Sequence, residues 1–149
     1  MWQKLRNLYF SISTYHDLSP DLQLRRQVNQ SLRSRDRLSL ETWFRNYWQG
    51  SAAHPQAICL DLIRFVYIHL QDYSGLETGR LRPSDRLVED LQFPSVCWFD
   101  WSIALCDDFC ATFGIDISDT FDETQLQTLE DLVNCLHQFL SFKQSISSS

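Results

Sequence analysis

Glycine and proline are scarce in this chain, with only four of each in 149 residues. These two residues are the usual breakers of regular structure, so most of the backbone has no chemical reason to leave it. Apolar residues also recur at helical spacing in several segments, which predicts an all-α protein with few long loops. Hydrophobic residues make up 44% of the chain, and this excludes disorder of the whole chain.

Long apolar runs are missing as well. No stretch approaches the roughly 20 apolar residues that a membrane-spanning helix needs. The opening residues Met1 to Arg6 lead into a polar segment instead of the apolar core of a signal peptide. We therefore expect a cytoplasmic protein without membrane insertion.

The five cysteines are odd in number and include no Cys-x-x-Cys pair. Buried, reduced thiols are the simplest interpretation. Cys106 and Cys110 lie one helical turn apart and could share a metal with His137, but structural metal sites usually need four converging ligands. The sequence also lacks a glycine-rich phosphate loop, a nucleophile elbow and a His-Glu-x-x-His motif. We predict no metal, no catalytic residue and no enzymatic activity.

Charge is divided unevenly along the chain. Residues 1–50 hold eight Lys and Arg against four Asp and Glu, whereas residues 51–149 hold five against fifteen. The basic group Arg25, Arg26, Arg33, Arg35 and Arg37 could bind nucleic acid or anionic lipid. An overall pI near 5.0 argues against general affinity for polyanions. The prediction is no nucleic-acid partner, with these arginines either solvated or docked on the acidic part of the chain.

The helical pattern suggests a division of the chain into three parts. Residues 1–50 are predicted to form an N-terminal helical extension, residues 51–142 a helical domain, and residues 143–149 a disordered tail. The predicted helices cover 2–12, 20–33, 39–48, 55–70, 95–113 and 128–141. Ser95 is expected to cap the broadly apolar helix 95–113, and Gly114 to end it.

The order of elements in residues 55–142 resembles acyl carrier proteins. A long helix and loop lead to a Val-Glu-Asp-Leu turn at 88–91, a helix starting at Ser95 with Asp-Asp-Phe at 107–109, and a final Thr-Leu-Glu-Asp-Leu-Val helix. The resemblance implies a helical bundle of three or four helices. It also implies 4′-phosphopantetheine on Ser95, four residues after Leu91. A hydroxyl at a helix N-terminus suits this modification, because the helix end favours the phosphodiester charge.

The flanks of Ser95 differ from the Asp-Ser-Leu of the family, since the sequence here is Pro94-Ser95-Val96. Aromatic residues replace the acidic docking face of the family's second helix, and aromatic side chains dominate stable interfaces. We therefore predict a non-enzymatic, acyl-carrier-like module that binds another protein and carries no cofactor. The expected partner-binding residues are Val96, Trp98, Asp100 and Trp101. The alternative is a phosphopantetheine-bearing carrier of acyl or aminoacyl groups, modified at Ser95.

Overall fold

The computed structural model describes residues 20–50 and 58–147, with side chains up to Phe142. Within these ranges the regular structure is helical and the prediction of an all-α fold is confirmed. Two short 3₁₀ turns, Thr78–Arg80 and Glu123–Gln125, lie in the loops that connect the longer helices. Numbered along the described chain, the helices are α1 (Leu22–Leu32), α2 (Leu40–Tyr47), α3 (Leu60–Ser74), α4 (Phe93–Val96), α5 (Trp101–Phe113) and α6 (Leu129–Ser147).

Local capping sets several helix boundaries. Ser39 accepts a hydrogen bond from the Thr42 N–H at 3.3 Å and begins α2 as its sequence suggests. At the start of α6, the Thr128 hydroxyl accepts from the Asp131 N–H, while the Asp131 carboxylate accepts from the Thr128 N–H. α5 ends at Gly114, whose φ of 73° suits a residue without Cβ.

Helix α3 lies at the centre of the fold and packs against α2 and α6. Its Phe65 ring meets Phe109 of α5 edge to face, with centroids 5.8 Å apart. Trp43 of α2, Phe109 and Leu132 of α6 have no exposed surface and belong to one core cluster. The three segments that the sequence groups together, α3, α5 and α6, thus share one interior.

The described part of residues 1–50 contributes to that same core. Leu38, between α1 and α2, donates its N–H to the Gly79 carbonyl at 3.0 Å and accepts the Tyr67 hydroxyl at 2.6 Å. The Trp43 indole N–H reaches the Leu81 carbonyl at 2.9 Å. Residues 22–48 therefore pack in cis on the rest of the chain, while the predicted boundary at residue 51 and the predicted helix 2–12 lie outside the described residues.

Several predicted boundaries are wrong. Asp21 caps α1 by accepting the Leu24 N–H at 3.0 Å, so this helix begins at Leu22 and not at residue 20. α3 continues to Ser74, four residues further than its apolar stripe suggests, and α6 continues to Ser147, into the predicted disordered tail. The largest error concerns the predicted helix 95–113, which is interrupted: α4 ends at Val96 and α5 begins at Trp101.

Candidate functional site

Helix α4 ends after one turn because α1 occupies its last carbonyl groups. The Asp21 N–H donates to the Ser95 carbonyl at 2.9 Å. The Arg25 guanidinium donates to the Val96 carbonyl through Nε at 3.1 Å and Nη2 at 2.7 Å. In a continuous helix these oxygens would accept from the N–H groups four residues ahead. Instead, the chain turns at 97–100 before α5 begins.

Ser95 is the third residue of α4 and its side chain is exposed, so the prediction that it caps a helix is wrong. The cap residue is Gln92, whose φ of 55° is left-handed and whose side chain makes no capping bond. The N–H groups of Ser95 and Val96 donate to the Gln92 carbonyl at 3.0 and 2.9 Å, and that of Cys97 donates to Phe93 at 3.0 Å.

The resemblance to acyl carrier proteins implies phosphopantetheine on Ser95, and these hydrogen bonds show whether the surrounding residues could hold its phosphate. A phosphate-binding helix N-terminus depends on backbone N–H groups without partners. Around Ser95 the N–H groups already donate within α4, and Pro94 has none. The nearby Arg25 guanidinium is committed to the Val96 carbonyl. The residues around Ser95 therefore do not form the anion site that this cofactor would use.

The four predicted partner-binding residues divide into two pairs. Val96 has no exposed surface and Trp101 is only 8% exposed, with its ring edge to face on Phe93 at 5.4 Å. Both are core residues, and this corrects the prediction that they face a partner. Trp98 is 47% exposed and Asp100 is partly exposed, and both lie in the turn between α4 and α5.

A long stretch in the second half of the chain carries no positively charged side chain. Between Arg86 and Lys143 there is no lysine or arginine, whereas eleven aspartates and glutamates occur in that stretch. The stretch contains α4, α5, the connector after α5 and most of α6. These elements contribute carboxylates and, up to residue 142, no cationic side chain of their own, while Arg25 of α1 reaches the Val96 carbonyl beside the turn with Trp98.

A second polar cluster joins α3 and α5. The Tyr73 hydroxyl donates to Asp108 Oδ2 at 2.5 Å, and His69 Nδ1 lies 3.4 Å from the same oxygen. The His69 ring also stacks on Tyr73, with centroids 6.0 Å apart. Nothing in the sequence near His69 reveals this carboxylate, because Asp108 comes from another helix. The cluster fastens α3 to α5.

This cluster predicts a loss of stability in alkali. Burial, and then the hydrogen bond to Asp108, raise the pKa of Tyr73 well above its ordinary value near 10. The folded chain thus keeps a proton that the unfolded chain releases, so the contribution of Tyr73 is complete below about pH 10 and lost above it. Above about pH 10, the free energy of unfolding should fall by an amount that approaches about 1.4 kcal/mol per pH unit because of Tyr73 alone.

Urea unfolding of the wild type and of Tyr73→Phe between pH 8 and 11 measures this effect. The difference in unfolding free energy between them should shrink as the pH passes 10. Burial also raises the pKa of Cys97 and Cys106 to about 12. Both thiols are present in both proteins, so their contributions cancel. Parallel pH profiles for the two proteins would contradict the prediction.

None of the helices in residues 20–50 and 58–147 is both long and apolar enough to cross a bilayer. The same ranges contain no group of three or more His, Cys, Asp or Glu side chains placed to hold a metal ion. No protein-family model, curated protein or solved structure matches this chain.

Proposed function

We propose that this chain is a non-enzymatic, acyl-carrier-like helical module that binds another protein through the turn between α4 and α5. The exposure of Trp98 carries the proposal. Its neighbours Val96 and Cys97 are buried, whereas Trp98 leaves 47% of its surface in water. Tryptophan is the residue most enriched among interface anchors, so a large exposed indole beside buried neighbours supports a docking role.

The likeness to an acyl carrier bundle is part of this proposal. The chain has the long helix α3, a long loop, a second long helix α5, an acidic connector and a final helix α6 in the order of that family. The ring contact between Phe65 and Phe109 supports packing of α3 against α5. The capping pair Thr128 and Asp131 supports the start of the final helix.

The chemistry of the partner follows from the surroundings of Trp98. Asp100 lies in the same turn, and Arg25, which reaches this turn from α1, is committed to the Val96 carbonyl. An arginine or lysine on the partner can stack on the indole face and be attracted by the acidic surface. We therefore expect a partner that presents a cationic side chain among apolar residues.

Trp98→Ala tests the proposal, with Ile68→Ala as the matched control. Ile68 is 50% exposed on α3 and lies outside the turn. Pull-downs should lose partner recovery with Trp98→Ala, by about tenfold or more, because truncating a central anchor costs about 2 kcal/mol. Ile68→Ala should leave recovery unchanged.

Stability and crosslinking complete this test. Both variants should unfold at the temperature of the wild type, because both side chains are exposed. A photoreactive residue at position 98 should crosslink to the same partner, whereas one at position 68 should not. Equal partner recovery with Trp98→Ala and with the wild type would refute the proposal.

The alternative function, a phosphopantetheine-bearing carrier, is favoured by one observation, the exposure of the Ser95 side chain. An exposed hydroxyl is open to a modifying enzyme even without an anion site. Intact mass after incubation with coenzyme A and a phosphopantetheinyl transferase tests it. A mass increase of one phosphopantetheine that is absent in Ser95→Ala would establish the carrier function, and an unchanged mass would reject it.

A further inference from the structure

An open groove lies between the connector that follows α5 and the second half of α6. It has a volume of about 660 Å³. One wall is the connector that follows α5, with Ile115, Ile117 and Thr120, and the other is α6, with Gln138, Phe139 and Phe142. Asp116 lies among these residues. The groove is thus an apolar trough with one carboxylate in its lining.

The rim of the groove distinguishes it from an enclosed ligand pocket. Phe142 is 68% exposed, the highest value among the exposed large hydrophobic side chains of the described chain. Small-molecule sites bury most of the ligand in a closed cleft. An open trough with an exposed aromatic rim suits instead the apolar face of a helix laid along it. Ile117 is buried and gives the floor a fixed shape.

The carboxylates beside the groove indicate which side chains the polar face of such a helix would carry. Asp116 accepts the Ser118 N–H at 3.0 Å and the Ser118 hydroxyl at 2.6 Å. These bonds hold its pKa below the ordinary value, so it is ionised at neutral pH. Asp119, Asp122 and Glu123 follow in the same connector, and no lysine or arginine occurs from residue 87 to residue 142.

From this apolar trough and its acidic connector we infer that the groove binds a basic amphipathic helix of a partner protein. The apolar side chains of that helix would pack between Ile115 and Phe142, and its lysines or arginines would face the carboxylates of the connector. This site is separate from the turn that holds Trp98, so it goes beyond the interaction proposed above.

The test uses the full chain and a synthetic helical peptide as probe. The peptide carries leucine at positions i, i+3, i+4 and i+7 of successive turns and lysine elsewhere, and a second peptide has glutamate in place of each lysine. Fluorescence anisotropy should give saturable binding of the lysine peptide and none of the glutamate peptide. Phe142→Ser should weaken binding about tenfold, the loss expected for one exposed aromatic anchor.

Two matched variants separate groove binding from general attraction. Asp116→Asn should weaken binding about two- to threefold and reduce its dependence on salt, because one rim charge is removed. Ile68→Ser removes a similarly exposed apolar side chain on α3 and should leave the affinity unchanged. Trp98→Ala should also leave it unchanged, so failure here is distinguishable from failure of the interaction at Trp98.

Four results would overturn the inference. The first is no binding of the lysine peptide, and the second is equal weakening by Phe142→Ser and Ile68→Ser, which indicates non-specific attraction. The third is self-association of the chain in sedimentation that Phe142→Ser abolishes, which makes a second copy the occupant. The fourth is binding that occurs only in the variant Lys4→Glu/Arg6→Glu, which makes the basic segment 2–12 of the same chain the occupant.

Discussion

Asp85→Ala should lower the free energy of unfolding by about 3 kcal/mol, the lower end of the cost of removing one partner of a buried ion pair, because the Arg35 side chain is 25% exposed. Asp85 is 4% exposed. Its carboxylate accepts two hydrogen bonds from Arg35, at 2.7 and 2.9 Å, and a third from the Arg82 N–H at 2.7 Å. The substitution leaves a partly buried guanidinium and an N–H group without their acceptor.

An exposed ion pair provides the control for Asp85. Asp61 and Arg64 lie 3.2 Å apart on the surface of α3, and both side chains are more than half exposed. Asp61→Ala should therefore cost no more than about 1 kcal/mol. Urea unfolding monitored by circular dichroism measures both variants. If Asp85→Ala costs no more than Asp61→Ala, the ion pair does not fasten the segment before α2 to the loop after α3.

The second large effect is expected for Trp43→Ala, at about 3–5 kcal/mol. Trp43 has no exposed surface and packs edge to face on Trp48 and Tyr67, with centroids 5.4 and 5.5 Å apart. Its indole N–H also donates to the buried Leu81 carbonyl. The substitution removes a fully buried indole and leaves a cavity and an unpaired oxygen.

Two further substitutions separate these contributions. Trp43→Phe keeps a ring in the core but loses the N–H. Its free energy of unfolding should therefore lie between that of the wild type and that of Trp43→Ala. Trp98→Ala removes an exposed indole and should change stability by less than about 0.5 kcal/mol. Thermal and urea unfolding measure all three variants. If Trp43→Ala unfolds like Trp98→Ala, residues 40–47 do not belong to the core.

Both predictions concern contacts that residues 1–50 make with the rest of the chain, and the sequence pattern predicts these contacts least completely. The pattern Leu40, Trp43 and Phe44 predicts a helix that packs its aromatic side chains on something, and α2 confirms this. What it packs on depends on loops remote in sequence. For the arginines, the sequence left open whether they are solvated or docked. Arg25 and Arg35 donate into the body of the protein, and only the positions of Val96 and Asp85 decide that.

The candidate site shows the same limit. The apolar period from residue 96 to 113 predicts one helix, and each residue in it is compatible with that structure. The break at 97–100 arises because Asp21 and Arg25 bind the Ser95 and Val96 carbonyls. This break turns Trp98 outward and Trp101 inward. Two tryptophans three residues apart, alike to sequence reasoning, thereby have opposite roles.

The sequence by itself determined the helical class of the described chain and the ends that local chemistry controls, such as Ser39, Gly114 and the Thr128 and Asp131 pair. These features depend on residues within about four positions of each other, which is the range of a helical hydrogen bond. The tertiary structure decided where the helix beginning near Ser95 breaks, which carboxylate meets His69 and Tyr73, and which side chains form the groove. Those outcomes depend on hydrogen bonds and packing between segments far apart in sequence, and a local pattern does not encode them.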